Sequence, residues 1–167
     1  MIFDNSRVRR QDRLLNQQQS MTLLRSAEYG VLSMVDGAGQ PYAVPVNYVW
    51  DGADAVYIHC APEGEKLRAI AAHPEVMLCV VGATHLMPER FTTEYQSILL
   101  RGVARVGLSE VERRHALDLL LEKLAPHHKP MGQKYVDGSF HRVEIIRIDL
   151  LSCSGKQKNV TPHHSTL

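Results

Sequence analysis

Short apolar runs separated by turn residues dominate the chain, and three segments between them carry helical spacing. From Gln17 to Glu28, Met21, Leu23, Leu24 and Ala27 form an apolar stripe on one side of a helix. Tyr29 to Val35 reads as a strand, and Asp36-Gly37-Ala38-Gly39 supplies the glycines that a hairpin turn requires. Pro41 to Trp50 reads as a second strand. Pro45 within it lacks an N–H, which places the strand at a sheet edge or on a bulge, where free backbone groups can meet a planar ligand.

After a turn at residues 51–54, Ala55 to Cys60 is a third strand, and Gly64 to Ala72 a short helix stopped by His73-Pro74. Val76 to Val81 is the continuous apolar run expected of a strand buried on both faces. Residues 82–93 read as a long connection and Glu94 to Val106 as a long strand. Ser109 caps a helix over 110–124, with Glu112 completing a capping box. Val111, Leu117, Leu120, Leu121 and Leu124 form its expected buried stripe. Residues 126–138 read as loop with room for a helical turn, and Arg142 to Leu151 as the last strand. Six strands joined mostly by short turns predict a mainly β fold with flanking helices, an antiparallel barrel. The expected organisation is an N-terminal arm over 1–15, one domain over 16–156 and a tail over 157–167.

Composition narrows the function. The 167 residues carry 19 basic and 18 acidic side chains, a formal charge of +1. A nucleic-acid binder needs a large basic excess and stacking aromatics, and aromatics are only 6% here. The local basic run at Arg7, Arg9, Arg10 and Arg13 reads as a solvated arm. No apolar stretch approaches the roughly 18 residues of a membrane span. Three widely spaced cysteines, Cys60, Cys79 and Cys153, without a secretory leader, point to reduced thiols in a cytoplasmic protein. That setting also discounts the glycosylation pattern at Asn159-Val160-Thr161.

Chemistry concentrates in one stretch, VYIHCAPEGEKL, residues 56–67. A strand ends, a turn carries Gly64, and a helix opens with Lys66 in its first turn. Unpaired N–H groups and the helix dipole favour a phosphate there, and a lysine adds a full charge. The same residues also suit an ordinary strand-to-helix turn with a solvated lysine. Metal binding has little material: His59 and Cys60 are strand neighbours that point to opposite faces, and the pairs His127-His128 and His163-His164 lack partners at ligand spacing. Gly102, after Arg101 in the long strand, marks a bulge or a close approach.

Three segments together, YGVLSMVDGAGQPYAVPVNYVW, VYIHCAPEGEKLRAIAAHPEVMLCVV and PERFTTEYQSILLRGVARV, resemble the pyridoxamine 5′-phosphate oxidase-like FMN-binding proteins. Among these they are most similar to the Nim branch of 5-nitroimidazole resistance proteins. The resemblance runs from about Arg9 to Lys156. It implies a six-stranded split β-barrel, a homodimer with FMN at the subunit interface, and a small aromatic or electron-poor substrate. It places Val44, Pro45, Val46 and Asn47 along the isoalloxazine ring, and His59, Cys60 and Ala61 beside the ring and ribityl chain. It also puts Lys66 on the FMN phosphate, Thr92 and Thr93 in a segment covering the cofactor, and Ser97 reaching from the other subunit.

Where the oxidases carry Ser-Arg-Lys this chain has Gly64-Glu65-Lys66, and where Nim members commonly have His before the Lys it has Glu65. The oxidases' C-terminal residues for substrate phosphate have no counterpart, which argues against pyridoxamine phosphate oxidation. His59 and Glu65 are the candidates for acid–base work. Two readings stay beside the reductase or oxidase: a flavin module without turnover, and a barrel of this fold holding haem or a deazaflavin.

Overall fold

Side chains on alternate positions of the strands share one apolar interior, and the sheet curls to enclose them. In the computed structural model, which describes residues 1–159, the strands are β1 (Ile2–Phe3), β2 (Tyr29–Val35), β3 (Pro41–Asn47), β4 (Val49–Trp50), β5 (Ala55–Cys60), β6 (Glu75–Met87), β7 (Thr92–Arg105) and β8 (Glu144–Lys158). The helices are α1 (Gln17–Ser26), α2 (Glu65–Ala72), α3 (Glu110–Leu124) and α4 (Lys129–Ser139). The sheet order is β3-β2-β6-β7-β8-β5-β4, antiparallel throughout, with β1 added parallel to β8.

Leu32, Leu78, Val80, Ile98, Leu100, Ile146 and Ile148 fill the interior and are all but inaccessible to solvent. Tyr42, Val44 and Val46 of β3 pack on the same core as Val56, Ile58 and Cys60 of β5. No ladder joins these two strands, so the wall closes by packing alone and the barrel is split. Helix α1 plugs the interior with Leu23 and Leu24, whose chain leads in through the fully buried Leu15. Helices α3 and α4 cover the outer side of β5, where Ala55, Tyr57 and Ile145 pack with Ala116, Leu117, Leu120 and Val136.

The expected fold class holds, with eight strands in place of six. Pro41–Trp50 divides at Tyr48, where the chain leaves β2 and joins β5; Tyr48 itself is fully buried, and its hydroxyl donates to the Leu24 carbonyl at 2.7 Å. The edge expected from Pro45 is present, since β3 ends the sheet. The long connection over 82–93 is instead the far half of a β6–β7 hairpin. Strand β6 shifts register between Val81 and Thr84, runs on to Met87, and reverses through a tight turn at Pro88–Arg90. Residues 126–138 hold α4, hidden from pattern reading by Pro130 and two glycines. A Cβ at Gly132 would lie 2.5 Å from the Leu121 side chain, so glycine permits this close helix contact.

On α3, Val111 is exposed rather than in the stripe, and Leu124 is only partly covered. Ser109 does accept the Glu112 N–H at 3.2 Å, but the Glu112 carboxylate leaves the cap for Arg147 at 2.5 Å. The complete capping box is at Asn16 and Gln19 of α1.

The bulge expected at Gly102 is real. Register shifts between Arg101 and Gly102, and a Cβ at Gly102 would lie 2.5 Å from the Asp149 carbonyl oxygen. Opposite it, β8 changes phase, so that Leu150 and then Cys153 face the core. The first fifteen residues are not a solvated arm. Beyond the β1 pairing, Asn5 donates to the Leu15 carbonyl at 3.0 Å and accepts from the Gly155 N–H at 2.9 Å. Of the tail, β8 takes residues to Lys158, while 160–167 and His163-His164 lie outside the described residues.

Candidate functional site

The split between β3 and β5 is where most of the sequence-derived site residues meet. Val49 of β4 stands opposite Tyr57 and Trp50 opposite Val56. Beyond Tyr48 no ladder continues, and β3 and the end of β5 meet only through the shared core, with Val44 and Val46 on one side and Cys60 on the other. Val44 and Val46 turn inward onto the core, whereas Pro45 and Asn47 face out. The Asn47 amide is used locally, donating to the Glu28 carbonyl at 2.9 Å. Because β3 ends the sheet, the side of its backbone turned away from β2 has no ladder partner.

His59 and Cys60 point to opposite sides of β5, as their neighbouring positions require. Cys60 is half-buried on the core side, and burial raises its thiol pKa, with Lys66 pulling weakly the other way. It is therefore no ready thiolate. His59 is on the outer side at the strand end, and desolvation by the surrounding protein lowers its pKa, keeping the imidazole neutral at pH 7. Burial also raises the thiols of Cys79 and Cys153, the latter to about 11, and all three cysteines are free.

Immediately after Cys60 the chain turns into α2. Gly64 caps it with φ of 143°, a conformation that L side chains rarely adopt, and no side chain fills the cap. A Cβ there would meet nothing within 4 Å, so the space ahead of the first helical amides is open. Lys66 sits in that first turn, half-buried, and no ion pair or hydrogen bond engages it among the described residues. Glu65 is turned away to Arg68 at 2.6 Å, an exposed pair.

The remaining three residues lie elsewhere on the barrel. Thr92 and Thr93 open β7 at the end of the β6–β7 hairpin, where Thr92 accepts from the Lys158 ammonium. Ser97 pairs with Val81 and Lys156 in the ladders, on the outer face. Strand β7 is two ladder steps from β5 and three from β3, about 10 and 14 Å around the wall by ordinary strand spacing. One chain therefore does not bring Ser97 to Lys66. Ser97 instead lines a cleft of about 520 Å³ between the N-terminal arm and the β7–β8 face, together with Arg7, Arg9, Arg101 and Lys156. Sequence reasoning missed this cleft, because its side chains come from three distant segments and no spacing links them.

A family model for pyridoxamine 5′-phosphate oxidase matches residues 16–157. The chain belongs to this family. A search of curated proteins returns no match. Among solved structures, it is similar to a candidate 5-nitroimidazole antibiotic resistance protein from Bacteroides thetaiotaomicron, at 22% identity and a TM-score of 0.70 over 87% of this chain and 86% of that one. A FAD-binding protein from Mesorhizobium loti aligns at 22% identity and a TM-score of 0.64, covering 88% and 98%. A FAD and heme binding protein from Mycobacterium smegmatis aligns at 18% and 0.74, covering 87% and 72%. At these identities the likeness establishes the fold. Among the described residues no helix is long and apolar enough to cross a membrane, and no group of three or more His, Cys, Asp or Glu could hold a metal ion.

Proposed function

We propose that this protein is an FMN-dependent oxidoreductase acting on a small aromatic or electron-poor compound, assembled as a homodimer with a flavin at each subunit interface. The observation that carries the reading is the unpartnered Lys66 in the first turn of α2, behind Gly64, a cap that no side chain fills. A phosphate fits that donor set: free helical amides, an open approach and one ammonium. A planar ring fits the free edge of β3, where Val44–Asn47 offer backbone groups and Pro45 and Asn47 face outward.

Bound FMN supplies the two-electron redox chemistry, and the protein supplies position and electrostatics. Lys66 holds the phosphate. The β3 edge and the end of β5 fix the ring's polar rim and exclude water from one side of it. His59, neutral at pH 7, is the side chain placed to take or give a proton at a ring nitrogen. Glu65, engaged by Arg68, takes no part.

Dimerisation is supported by the outer face of the sheet. Val35, Val81, Leu99 and Leu151 stand exposed there on four adjacent strands, Leu151 at 56% and Leu99 at 40%. Covering such a patch is the ordinary reason for a two-fold dimer. Ser97 lies two residues from Leu99 on the same face, so a partner packed there brings its own Ser97 into the interface.

The test begins with the absorption spectrum of the purified protein and chromatography of the released flavin, which separates FMN from FAD and from haem. Lys66→Ala should weaken FMN ~10- to 100-fold, the scale of a charge-assisted contact, and leave riboflavin unchanged. Equal loss for both ligands refutes the phosphate assignment. Reduction by NADH or NADPH followed by reoxidation with a nitroaromatic distinguishes an enzyme from a flavin carrier. Light scattering should give twice the 18.8 kDa chain mass, and Leu99→Glu should shift it to monomer.

A further inference from the structure

Most arginines of this chain have a carboxylate. Arg10 pairs with Asp12, Arg68 with Glu65, Arg105 with Asp149, Arg114 with Glu110 and Asp137, and Arg147 with Glu112 and Asp149. Arg7, Arg9 and Arg101, like Arg25 and Arg142, make no carboxylate ion pair within 4 Å among the described residues, and these first three line one cleft of about 520 Å³ on the outer face of β7 and β8. Lys156 joins them, its ammonium 5.7 Å from the Tyr95 ring centroid. Four cations thus face a single acid, Asp4, whose carboxylate accepts the Ser6 N–H at 2.8 Å and also feels the Arg7 charge, which leaves a net excess of positive charge in the cleft.

The arrangement is built rather than accidental. The Asp4 N–H donates to the Cys153 carbonyl at 2.8 Å, and Asn5 is bonded to both Leu15 and Gly155. The Gln11 side chain donates to the Val8 and Asn5 carbonyls at 2.6 and 3.2 Å. These bonds fix the arm across the strands and hold Arg7 and Arg9 over Arg101. Uncompensated like charges gathered by a fixed scaffold repel one another, and an anion removes the repulsion. Guanidinium forks suit the oxygens of phosphate, and Ser97, Ser152 and Ser154 add hydroxyls on the floor.

We propose that this cleft binds the phosphate groups of a small phosphorylated molecule, at a site separate from Lys66. Its size falls within the range of small-ligand pockets. The ligand is a free phosphorylated metabolite or nucleotide, distinct from the flavin whose phosphate Lys66 takes. The proposal shares Ser97 with the flavin reading but does not need Lys66, so the two can fail separately.

The test titrates the full-length protein with inorganic pyrophosphate by calorimetry, with and without saturating FMN, and measures FMN and riboflavin affinity in parallel. Wild type, Arg101→Gln, the Arg7→Gln/Arg9→Gln pair and Lys66→Ala are compared, with circular dichroism confirming that each folds. Submillimolar pyrophosphate binding that Arg101→Gln and the arm pair each weaken at least tenfold, while Lys66→Ala leaves it unchanged, supports the site. If FMN saturation leaves that binding intact, the ligand is a separate molecule. If FMN abolishes it and Arg101→Gln weakens FMN but not riboflavin, the cleft belongs to the flavin site and the proposal is overturned. Absence of pyrophosphate binding, or binding and FMN affinity that neither the Arg101 nor the arm variant alters, overturns the proposal.

Discussion

Replacing Lys123 by methionine should stabilise this protein at neutral pH. Its ammonium lies 3.7 Å from the Tyr48 ring centroid and has no hydrogen-bond partner among the described residues. Burial pushes its pKa down from 10.5 to about 8. At about 1.4 kcal/mol per pH unit, that difference sets an upper bound of ~3.5 kcal/mol on the cost of keeping the charge. The side chain is only partly buried, so solvent screens the cost, and the ring's attraction for the cation is already part of the balance. A net gain of ~1 kcal/mol, or a Tm rise of about 2–4 °C for a chain this size, is the working figure.

The sign has a distinct pH signature. A base with a lowered folded pKa carries its full penalty below that value and loses it as pH rises toward the unfolded value. The stability gap between Lys123→Met and wild type should therefore be constant below about pH 8 and close between pH 8 and 10.5. Thermal melts followed by circular dichroism at pH 7 and pH 9.5 measure it. A variant less stable than wild type at pH 7, or a gap equal at the two pH values, refutes the reasoning.

Gly102→Ala should cost ~2–3 kcal/mol, because the new methyl group meets the Asp149 carbonyl across the bulge and backbone must move; an unchanged urea midpoint would sink this account. Glu112→Gln should cost ~1–2 kcal/mol by weakening the contacts to Arg147 and the Tyr57 hydroxyl, at 2.5 and 3.2 Å. A double-mutant cycle with Arg147→Met should return a clear coupling between the two sites. With a flavin bound as proposed, Glu65→Gln should leave its midpoint potential where it was, since Arg68 holds the carboxylate at the surface; an upward shift would show that the charge faces the ring.

The parts of the fold legible in the sequence are those fixed by local signals. Turn residues on either side located β2 and β5, Pro45 marked an edge strand, and the arginine–glycine pair at 101–102 marked the bulge. What stayed illegible depends on distant partners. The polar outer half of β6 looks like loop until β7 supplies its ladder. Helix α4 looks like loop because Pro130, Gly132 and Gly138 weaken its propensity, and packing against α3 overrides that. At the site, the strand–Gly64–Lys66 stretch was readable because its chemistry is contiguous. The β7–β8 cleft was not, because Arg7, Arg101 and Lys156 are brought together only by β1 joining the sheet.

The split itself has a consequence for solubility. A strand at the margin of a sheet is a template onto which another polypeptide can zip, the first step toward aggregation. Strand β3 is such a margin, seven residues long. It carries prolines at both position 41 and position 45, each deleting a donor that an incoming strand would need. The margin thus keeps enough carbonyls and amides to receive a small planar guest while refusing a continuous foreign strand. A chain with valines at these two places would keep its barrel and lose its protection against self-association.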